Sequence, residues 1–203
     1  VKHITTGEGG MVTTNDQQYA NRMRTFRSHG VEIDQAERAR QADWFYEMVS
    51  LGYNYRIPDV SCALGLSQLT RLEENLVRRK EIASRYQHEL RNMSCIIQPV
   101  TRPDVEHAWH LFPVRLELSQ IRGTRGEIFR ALQAEGIGVN VHYVPVHLHR
   151  YYRERFGYSD GEHPVAEAAY EQLLSLPMFH AMTESDIDDV ILSLDKVLTY
   201  YAK

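Results

Sequence analysis

The sequence lacks the features that mark secreted, disulfide-stabilised or membrane-spanning chains. Its two cysteines, Cys62 and Cys95, lie far apart and form no CxxC pair, so we expect reduced thiols rather than a disulfide or a metal site. No apolar run approaches the roughly 20 residues that span a bilayer. The N-terminus has no basic region followed by an apolar core, so no secretory signal is expected. We therefore expect a cytoplasmic protein.

The sequence also lacks a large excess of charge of either sign. Lysine and arginine number 23 against 27 aspartates and glutamates, which gives a formal net charge of −4. This balance does not favour binding to nucleic acids or to acidic membrane surfaces. Even the basic run 78–80 is expected to form a solvated helix face. The 203 residues can form one large domain or two small ones.

The opening stretch, VKHITTGEGGMVTTN, places Lys2 just before a Gly-x-Gly-Gly turn and a β-prone run at 11–14. This pattern predicts a hairpin, because glycine permits positive φ and close backbone approach. A lysine held beside such a turn suits a Schiff-base lysine, whose amine must reach a carbonyl carbon. From these residues alone, an exposed lysine before a glycine-rich hairpin is the simpler interpretation.

A second informative stretch, LGYNYRIPD at 51–59, surrounds Asn54 and Arg56 with aromatic residues. Pro58 and Asp59 close it as a turn before a helix. As a pattern alone, it predicts a loop followed by a capped helix.

The periodicity of the remaining chain predicts alternating helices and strands. We expect a helix at 16–29 capped by Asn15 or Asp16, and one long helix or two bent helices at 59–92. Later helices begin at Thr124, at Pro164 and at a capping box from Thr183. Strands are predicted at 95–99, 108–116 and 138–143. Strand, helix and strand joined by short links predict a compact α/β layer.

Three histidines, His142, His147 and His149, lie within eight residues and raise the alternative of a zinc site. Their spacing does not match HExxH, and Pro145 interrupts the strand before His147. We therefore expect no metal site and keep zinc as an alternative.

Taken together, these stretches resemble the DegT-type sugar-nucleotide aminotransferases, which are pyridoxal-phosphate enzymes of the aspartate aminotransferase fold. The resemblance rests on residues 2–12, on Gly-Tyr-Asn-Tyr-Arg at 52–56 and on Val-His-Tyr-x-Pro-x-His-Leu at 141–148. Segments 48–56, 140–148 and 151–158 are most similar to members that act in pseudaminic acid biosynthesis. The family's lysine lies near the middle of its chain, so the resemblance implies the C-terminal half of such an enzyme.

The resemblance implies an α/β fold, the C-terminal portion of a PLP-dependent transferase. Residues 1–58 would end the large PLP-binding domain, which contains the active-site lysine. Residues 59–92 would form a long connecting helix, and residues 93–203 a small C-terminal α/β domain.

The implied activity is transfer of an amino group from an amino acid, expected to be glutamate, to C4 of a UDP-linked 4-keto-6-deoxy-N-acetylhexosamine. The product would serve a cell-surface sugar of the pseudaminic acid type. The implied cofactor is pyridoxal 5′-phosphate, bound covalently by Lys2, which would also be the catalytic residue. Asn54 would reach the cofactor phosphate of the partner subunit in a homodimer with shared active sites. The candidates for binding substrate are Tyr55, Arg56, His142, Tyr143 and His147.

Several parts of the family's site lie upstream of its lysine. They include the aspartate for the pyridine nitrogen, the aromatic stacked on the ring and most phosphate-binding residues. We therefore expect this chain alone to bind the cofactor poorly and not to turn over. The alternative function is a non-catalytic module for dimerisation or binding.

Overall fold

A computed structural model describes residues 2–32, 38–40 and 44–203. They form two compact units. Unit 1 contains Lys2, His3 and Leu72–Lys203, and unit 2 contains Ile4–Arg71. The division falls inside the segment predicted as a connecting helix. That segment consists of two helices, one in each unit, and the predicted domain boundaries stay a prediction.

Unit 2 contains helices α1 (Gln17–Arg27) and α2 (Asp59–Leu69). Helix α1 begins at one of its two predicted caps, since the Asp16 carboxylate accepts the backbone N–H groups of Gln18 and Tyr19 at 2.8 and 3.1 Å. These two N–H groups have no partner inside the helix, and the cap satisfies both.

A close backbone approach connects the end of α1 to the segment around Asn54. Gly30 has a φ of 72°, and a Cβ there would collide with the carbonyl oxygen of Ser50. The N–H of Tyr55 donates to the carbonyl of Arg27 at 2.9 Å. Only glycine fits at position 30, and it lets residues 48–55 lie against the helix end.

The hairpin predicted for the opening stretch is absent. Residues 11–14 form no strand, since among the described residues no segment pairs with them. Unit 2 also has very little core, because Gly30 is its only buried residue in the described ranges. Large apolar side chains such as Met11, Val60 and Leu66 are 67–86% exposed.

Unit 1 contains five α-helices and three strands in the described part of the chain, besides three single-turn 3-10 helices at Leu90–Asn92, Leu118–Gln120 and Val146–Leu148. In order, the α-helices and strands are α3 (Leu72–Glu89), β1 (Ile96–Ile97), β2 (Phe112–Leu116), α4 (Arg125–Ala134), α5 (Arg150–Phe156), α6 (Pro164–Gln172), β3 (Leu173–Leu176) and α7 (Glu184–Tyr201). None of the helices described in either unit is long and apolar enough to cross a bilayer.

The sheet of unit 1 has the order β1-β2-β3, with both pairs antiparallel. In β2, the alternating residues Phe112, Val114 and Leu116 are fully buried. Phe112 lies opposite Leu176, and Leu116 lies opposite Ile96. Period-2 alternation thus directs one face of β2 into the core.

Helices α3, α4 and α7 complete this core with one apolar stripe each. The fully or almost fully buried side chains are Ile82, Ala83 and Tyr86 of α3, Ile128 and Leu132 of α4, and Ile187, Val190 and Leu194 of α7. Full burial of a large apolar side chain stabilises the fold by about 1.5–3 kcal/mol. The core therefore stabilises mainly unit 1.

Several predicted strands are wrong in extent. The strand predicted at 108–116 begins only at Phe112, because Trp109 has a φ of 49° in the left-handed region. The one predicted at 138–143 is reduced to a single bridge between Asn140 and Ser175. The one predicted at 95–99 contains only Ile96 and Ile97 as strand.

The predicted helix caps at Thr124 and Thr183 are both present as full capping boxes. At the start of α7, the N–H of Asp186 donates to the Thr183 hydroxyl at 3.2 Å, and its carboxylate accepts the N–H of Thr183 at 2.7 Å. This reciprocal pair fixes where α7 begins.

Replacing the capping hydroxyl should therefore weaken unit 1. Thr183→Ala is expected to lower the free energy of unfolding by about 0.5–2 kcal/mol, because one N–H of α7 loses its acceptor. Thr199→Ala, at an exposed position inside the same helix, is the matched control and should have little effect. Equal losses in the two variants, measured by chemical denaturation, would contradict the assigned cap.

Candidate active site

Lys2 differs from the other lysines in that its amine has no partner in the part of the chain that the structure describes. The sequence has four lysines, and the other three amines have partners. The pairs are Lys80 with Glu106 at 3.6 Å, Lys196 with Glu135 at 2.7 Å, and Lys203 with the carbonyl of Ser119 at 2.7 Å. Exposed Lys2 has no hydrogen bond or ion pair within residues 2–32, 38–40 and 44–203. Its amine is available for a ligand.

His3, which follows Lys2 in the chain, packs against His110 in unit 1. The rings of His3 and His110 meet edge to face, with their centroids 5.6 Å apart. The Nδ1 atom of each ring is buried and has no hydrogen-bond partner among the described residues. Burial, followed by nearby positive charges that include Arg79, lowers the pKa of both imidazoles.

The glycine-rich turn after Lys2 belongs to unit 2. Gly7 has a φ of 87°, and a Cβ at Gly9 would lie 2.7 Å from the hydroxyl oxygen of Thr6 and 2.9 Å from Cδ1 of Ile57. A Cβ at Gly65 of α2 would lie 3.1 Å from the methyl carbon of Thr6, so this glycine also lets α2 pack closely against the turn. Gly7 therefore permits the positive φ of the turn, and Gly9 permits its close packing against Thr6 and Ile57.

The Asn54 segment is held in an extended conformation against the end of α1. Asn54 forms an isolated antiparallel bridge with Ser28. Tyr53 and Tyr55 stack with ring centroids 5.0 Å apart and planes 10° apart, and Phe26 contacts both rings. The two tyrosines share one face of the segment, since side chains alternate along an extended chain, and Asn54 lies on the other. Asn54, Tyr55 and Arg56 are all exposed.

His142 and Tyr143 lie next to β3. The Nδ1 atom of His142 is 2.9 Å from the hydroxyl oxygen of buried Ser175. The rings of His142 and Tyr143 are 4.7 Å apart and nearly perpendicular. Tyr143 remains 74% exposed, so its phenol is accessible to a ligand.

His147 is buried and forms a pair with Glu167, a residue that sequence reasoning did not identify. Its Nε2 atom is 3.0 Å from Oε1 of Glu167. The same carboxylate accepts backbone N–H groups from Gly161 at 2.8 Å and His163 at 3.0 Å. These two N–H donors, and then His147, hold the pKa of Glu167 below its usual range. The contact spans 20 residues, and the sequence contains no local signal for it.

An aromatic cavity of about 570 Å³ opens beside His147. Tyr152, Phe156, Tyr158 and His163 contribute to its wall. The ring of His163 contacts that of His147 at a centroid distance of 4.5 Å. Such a wall, apolar with a few polar groups, is typical of sites for small organic ligands.

The histidines of segment 142–149 do not converge on one point. His142 bonds to Ser175, whereas His147 bonds to Glu167. In the described ranges, no group of three or more histidine, cysteine or acidic residues is placed to bind a metal ion.

The predicted site residues thus divide between the two units. Lys2, His142, Tyr143 and His147 belong to unit 1, whereas the segment from Asn54 to Arg56 belongs to unit 2. Residues 1–195 match the family model described as the DegT/DnrJ/EryC1/StrS aminotransferase family. The chain belongs to this family.

One curated relative and two solved structures are similar to this chain. The chain is 41% identical to the spore coat polysaccharide biosynthesis protein SpsC of Bacillus subtilis, covering 94% of this chain and 49% of the relative. Among solved structures, this chain is similar to Helicobacter pylori PseC, an aminotransferase involved in the biosynthesis of pseudoaminic acid. The TM-score is 0.86 at 27% identity, and the match covers 99% of this chain and 52% of the PseC chain.

The PLP-form of the putative sugar aminotransferase Spr1654 from Streptococcus pneumoniae has a TM-score of 0.79 at 26% identity, covering 94% and 46% of the two chains. This chain therefore spans about half the length of the proteins it matches. The predicted family and the predicted fold, part of a PLP-dependent aminotransferase, are confirmed.

The environment of Glu167 predicts an acid-sensitive contribution to stability. A carboxylate whose pKa is lowered on folding stabilises the protein above the unfolded pKa, and this stabilisation is lost as the pH falls through the folded pKa. Glu167→Gln should therefore be less stable than the wild type near neutral pH, and the difference should shrink below the usual range of glutamate pKa values. Denaturant titrations of both proteins, from neutral pH to below the usual glutamate pKa range, measure this difference in the free energy of unfolding.

Glu171→Gln provides the matched control, since Glu171 lies one turn later on α6 and is exposed. This variant should follow the wild-type dependence on pH. If the difference in free energy of unfolding between the wild type and Glu167→Gln stayed constant with pH, it would contradict the role given to the N–H groups of Gly161 and His163.

Proposed function

We propose that this chain forms part of a PLP-dependent sugar-nucleotide aminotransferase in which Lys2 binds the cofactor. The observation that carries the proposal is the amine of Lys2, which has no partner among the described residues, whereas the other three lysines are engaged. Aminotransferases of this family use pyridoxal phosphate, and one structural neighbour was solved in its PLP-form. A covalent bond to a carbonyl cofactor requires such a free amine.

The residues present fit this cofactor. Lys2 offers the amine, and the exposed amide N–H₂ of Asn54 offers a neutral donor that suits the phosphate of the cofactor bound by the partner subunit. When bound, pyridoxal phosphate supplies the electron sink for breaking the bond to hydrogen at the substrate carbon. The protein's contribution is to orient the groups and to move protons. In this role, Nζ of Lys2 accepts a proton from one carbon and returns it to another.

For the substrate, we propose a UDP-linked 4-keto-6-deoxy-N-acetylhexosamine, aminated at C4 with glutamate as the donor. The neighbour PseC is involved in the biosynthesis of pseudoaminic acid, and the relative SpsC in that of a spore coat polysaccharide. His142 and Tyr143 would contact the sugar, and His147 would shape the pocket, since its ring is fixed by Glu167. Tyr55 and Arg56 of unit 2 are further candidates for binding substrate, because an exposed guanidinium matches a diphosphate in charge and geometry.

We further propose that the protein acts as a homodimer with shared active sites. The support is the exposure of Asn54 and of the large apolar side chains of unit 2. Multi-angle light scattering of the purified chain should give twice its mass of 23.6 kDa. A monomeric mass at all concentrations tested would argue against the dimer.

Lys2 should form an adduct that borohydride traps even though this chain alone is expected to bind the cofactor poorly, because reduction makes each transient imine permanent. Incubation with pyridoxal phosphate followed by borohydride reduction should add one phosphopyridoxyl group, which peptide mass spectrometry should locate at Lys2. Lys2→Ala should abolish the specific adduct, whereas Lys80→Ala, the matched control, should retain it. Equal labelling of all four lysines in the wild type would favour the alternative of a non-catalytic binding module.

A further inference from the structure

A serine of β3 is buried on the face of the sheet that is turned away from the core. Leu174 and Leu176 lie opposite Val114 and Phe112 and share their buried face. Ser175, between the two leucines, therefore points to the other face, since side chains alternate along a strand. It is nevertheless only 3% exposed. A buried hydroxyl needs a hydrogen-bond partner, because an unpaired polar group in the interior is costly.

The segment around His142 supplies this partner. The N–H of Ser175 donates to the carbonyl of Asn140 at 2.7 Å, and the N–H of Asn140 donates to the carbonyl of Ser175 at 3.1 Å. This reciprocal pair fixes the segment against β3. Within the ranges that the structure describes, the Ser175 hydroxyl has one hydrogen-bond partner, Nδ1 of His142 at 2.9 Å.

The burial of this hydroxyl decides which of the two groups donates. If Nδ1 of His142 carried the hydrogen, it would donate to the oxygen of Ser175, and the serine O–H would have no acceptor among the described residues. If the O–H donates to an unprotonated Nδ1 instead, both groups are satisfied. The second arrangement is favoured, because a buried donor without an acceptor loses its hydration and gains nothing in return.

The other nitrogen of the same ring is open to a ligand. Nε2 of His142 has no hydrogen-bond partner in the described part of the chain, and it is not a buried atom. A neutral imidazole bears one hydrogen, so an unprotonated Nδ1 leaves that hydrogen on Nε2. The ring of Tyr143 packs against the imidazole, nearly perpendicular at 4.7 Å, and limits its rotation. His142 thus offers an oriented N–H donor.

We propose that Ser175 is a positioning residue for substrate binding, because its hydroxyl holds His142 as the tautomer that bears hydrogen on Nε2. The ring then donates a hydrogen bond to an oxygen of the sugar nucleotide. This inference rests on the proposed role of His142 in binding the substrate. A ligand oxygen with a free lone pair matches this N–H, whereas a ligand N–H group does not. Ser175 thereby sets the polarity of a contact that it does not itself make.

The tautomer can be measured without substrate or cofactor. In proton–nitrogen NMR spectra recorded above the usual range of histidine pKa values, His142 should show hydrogen on Nε2 and none on Nδ1. Loss of the signals in His142→Gln assigns them. Ser175→Ala should shift the Nδ1 signal, which loses its hydrogen bond, and should raise the share of the form with hydrogen on Nδ1. Ser185→Ala, at an exposed position, should leave both signals unchanged.

Hydrogen on Nδ1 of His142 in the wild type would overturn the proposal, since the serine would then be the acceptor. Identical ring signals in the wild type and in Ser175→Ala would overturn it as well. If Ser175→Ala fails to fold, the wild-type spectrum decides the question, because it shows which nitrogen bears the hydrogen.

The link to substrate is tested by the affinity for UDP-N-acetylglucosamine, a stable sugar nucleotide that serves as the probe. Ser175→Ala should weaken binding about two- to tenfold, the range expected for one hydrogen bond. His142→Leu should weaken it at least as much. Adding Ser175→Ala to His142→Leu should cause no further loss, because the serine acts only through the imidazole. Ser185→Ala should bind the probe as the wild type does.

Unchanged affinity in Ser175→Ala would overturn the positioning role, and so would a further loss of the same size in the double variant. If the wild type has the expected tautomer but does not bind the probe, the result would instead count against the proposed function.

Discussion

The alternation of β2 is the constraint on which the rest of unit 1 depends. Three of its five residues are fully buried, and both neighbouring strands take their register from it. A slip by one residue would turn Phe112, Val114 and Leu116 to the opposite face. Pro113 is compatible with this position because β1 pairs only with Arg115 and Leu116, which leaves that edge of β2 open beside the proline. Helices α3, α4 and α7 then cover the buried face.

Features set by neighbouring residues could be predicted from the sequence. The caps at Asp16, Thr124 and Thr183 depend on side chains that reach only two or three residues along the chain. The family could be recognised for a similar reason, since its motifs are short contiguous segments around Lys2 and Asn54. Local chemistry of this kind is visible in a single sequence.

Features set by distant residues could not be predicted. The burial of Arg79 depends on carbonyls at 109, 110 and 178, and in sequence it is one of three consecutive basic residues. Glu167 binds His147 because a turn between them returns the chain, and no spacing rule marks that pair. The strand predicted from residue 108 is shorter because the arginine contacts and a left-handed Trp109 replace its first half. Tertiary contacts override local propensity at these positions.

The unequal burial in the two units has a consequence for how the chain loses its structure. Unit 1 contains all the buried large side chains of the described residues, whereas unit 2 has only Gly30 below the surface. We therefore expect the two units to unfold in separate steps, so that one midpoint would not describe the molecule. Amide protons of β2 and α7 should exchange only through opening of the whole core, and those of α1 and α2 through local openings. Limited proteolysis should accordingly cut first between residues 4 and 71 and leave the sheet intact.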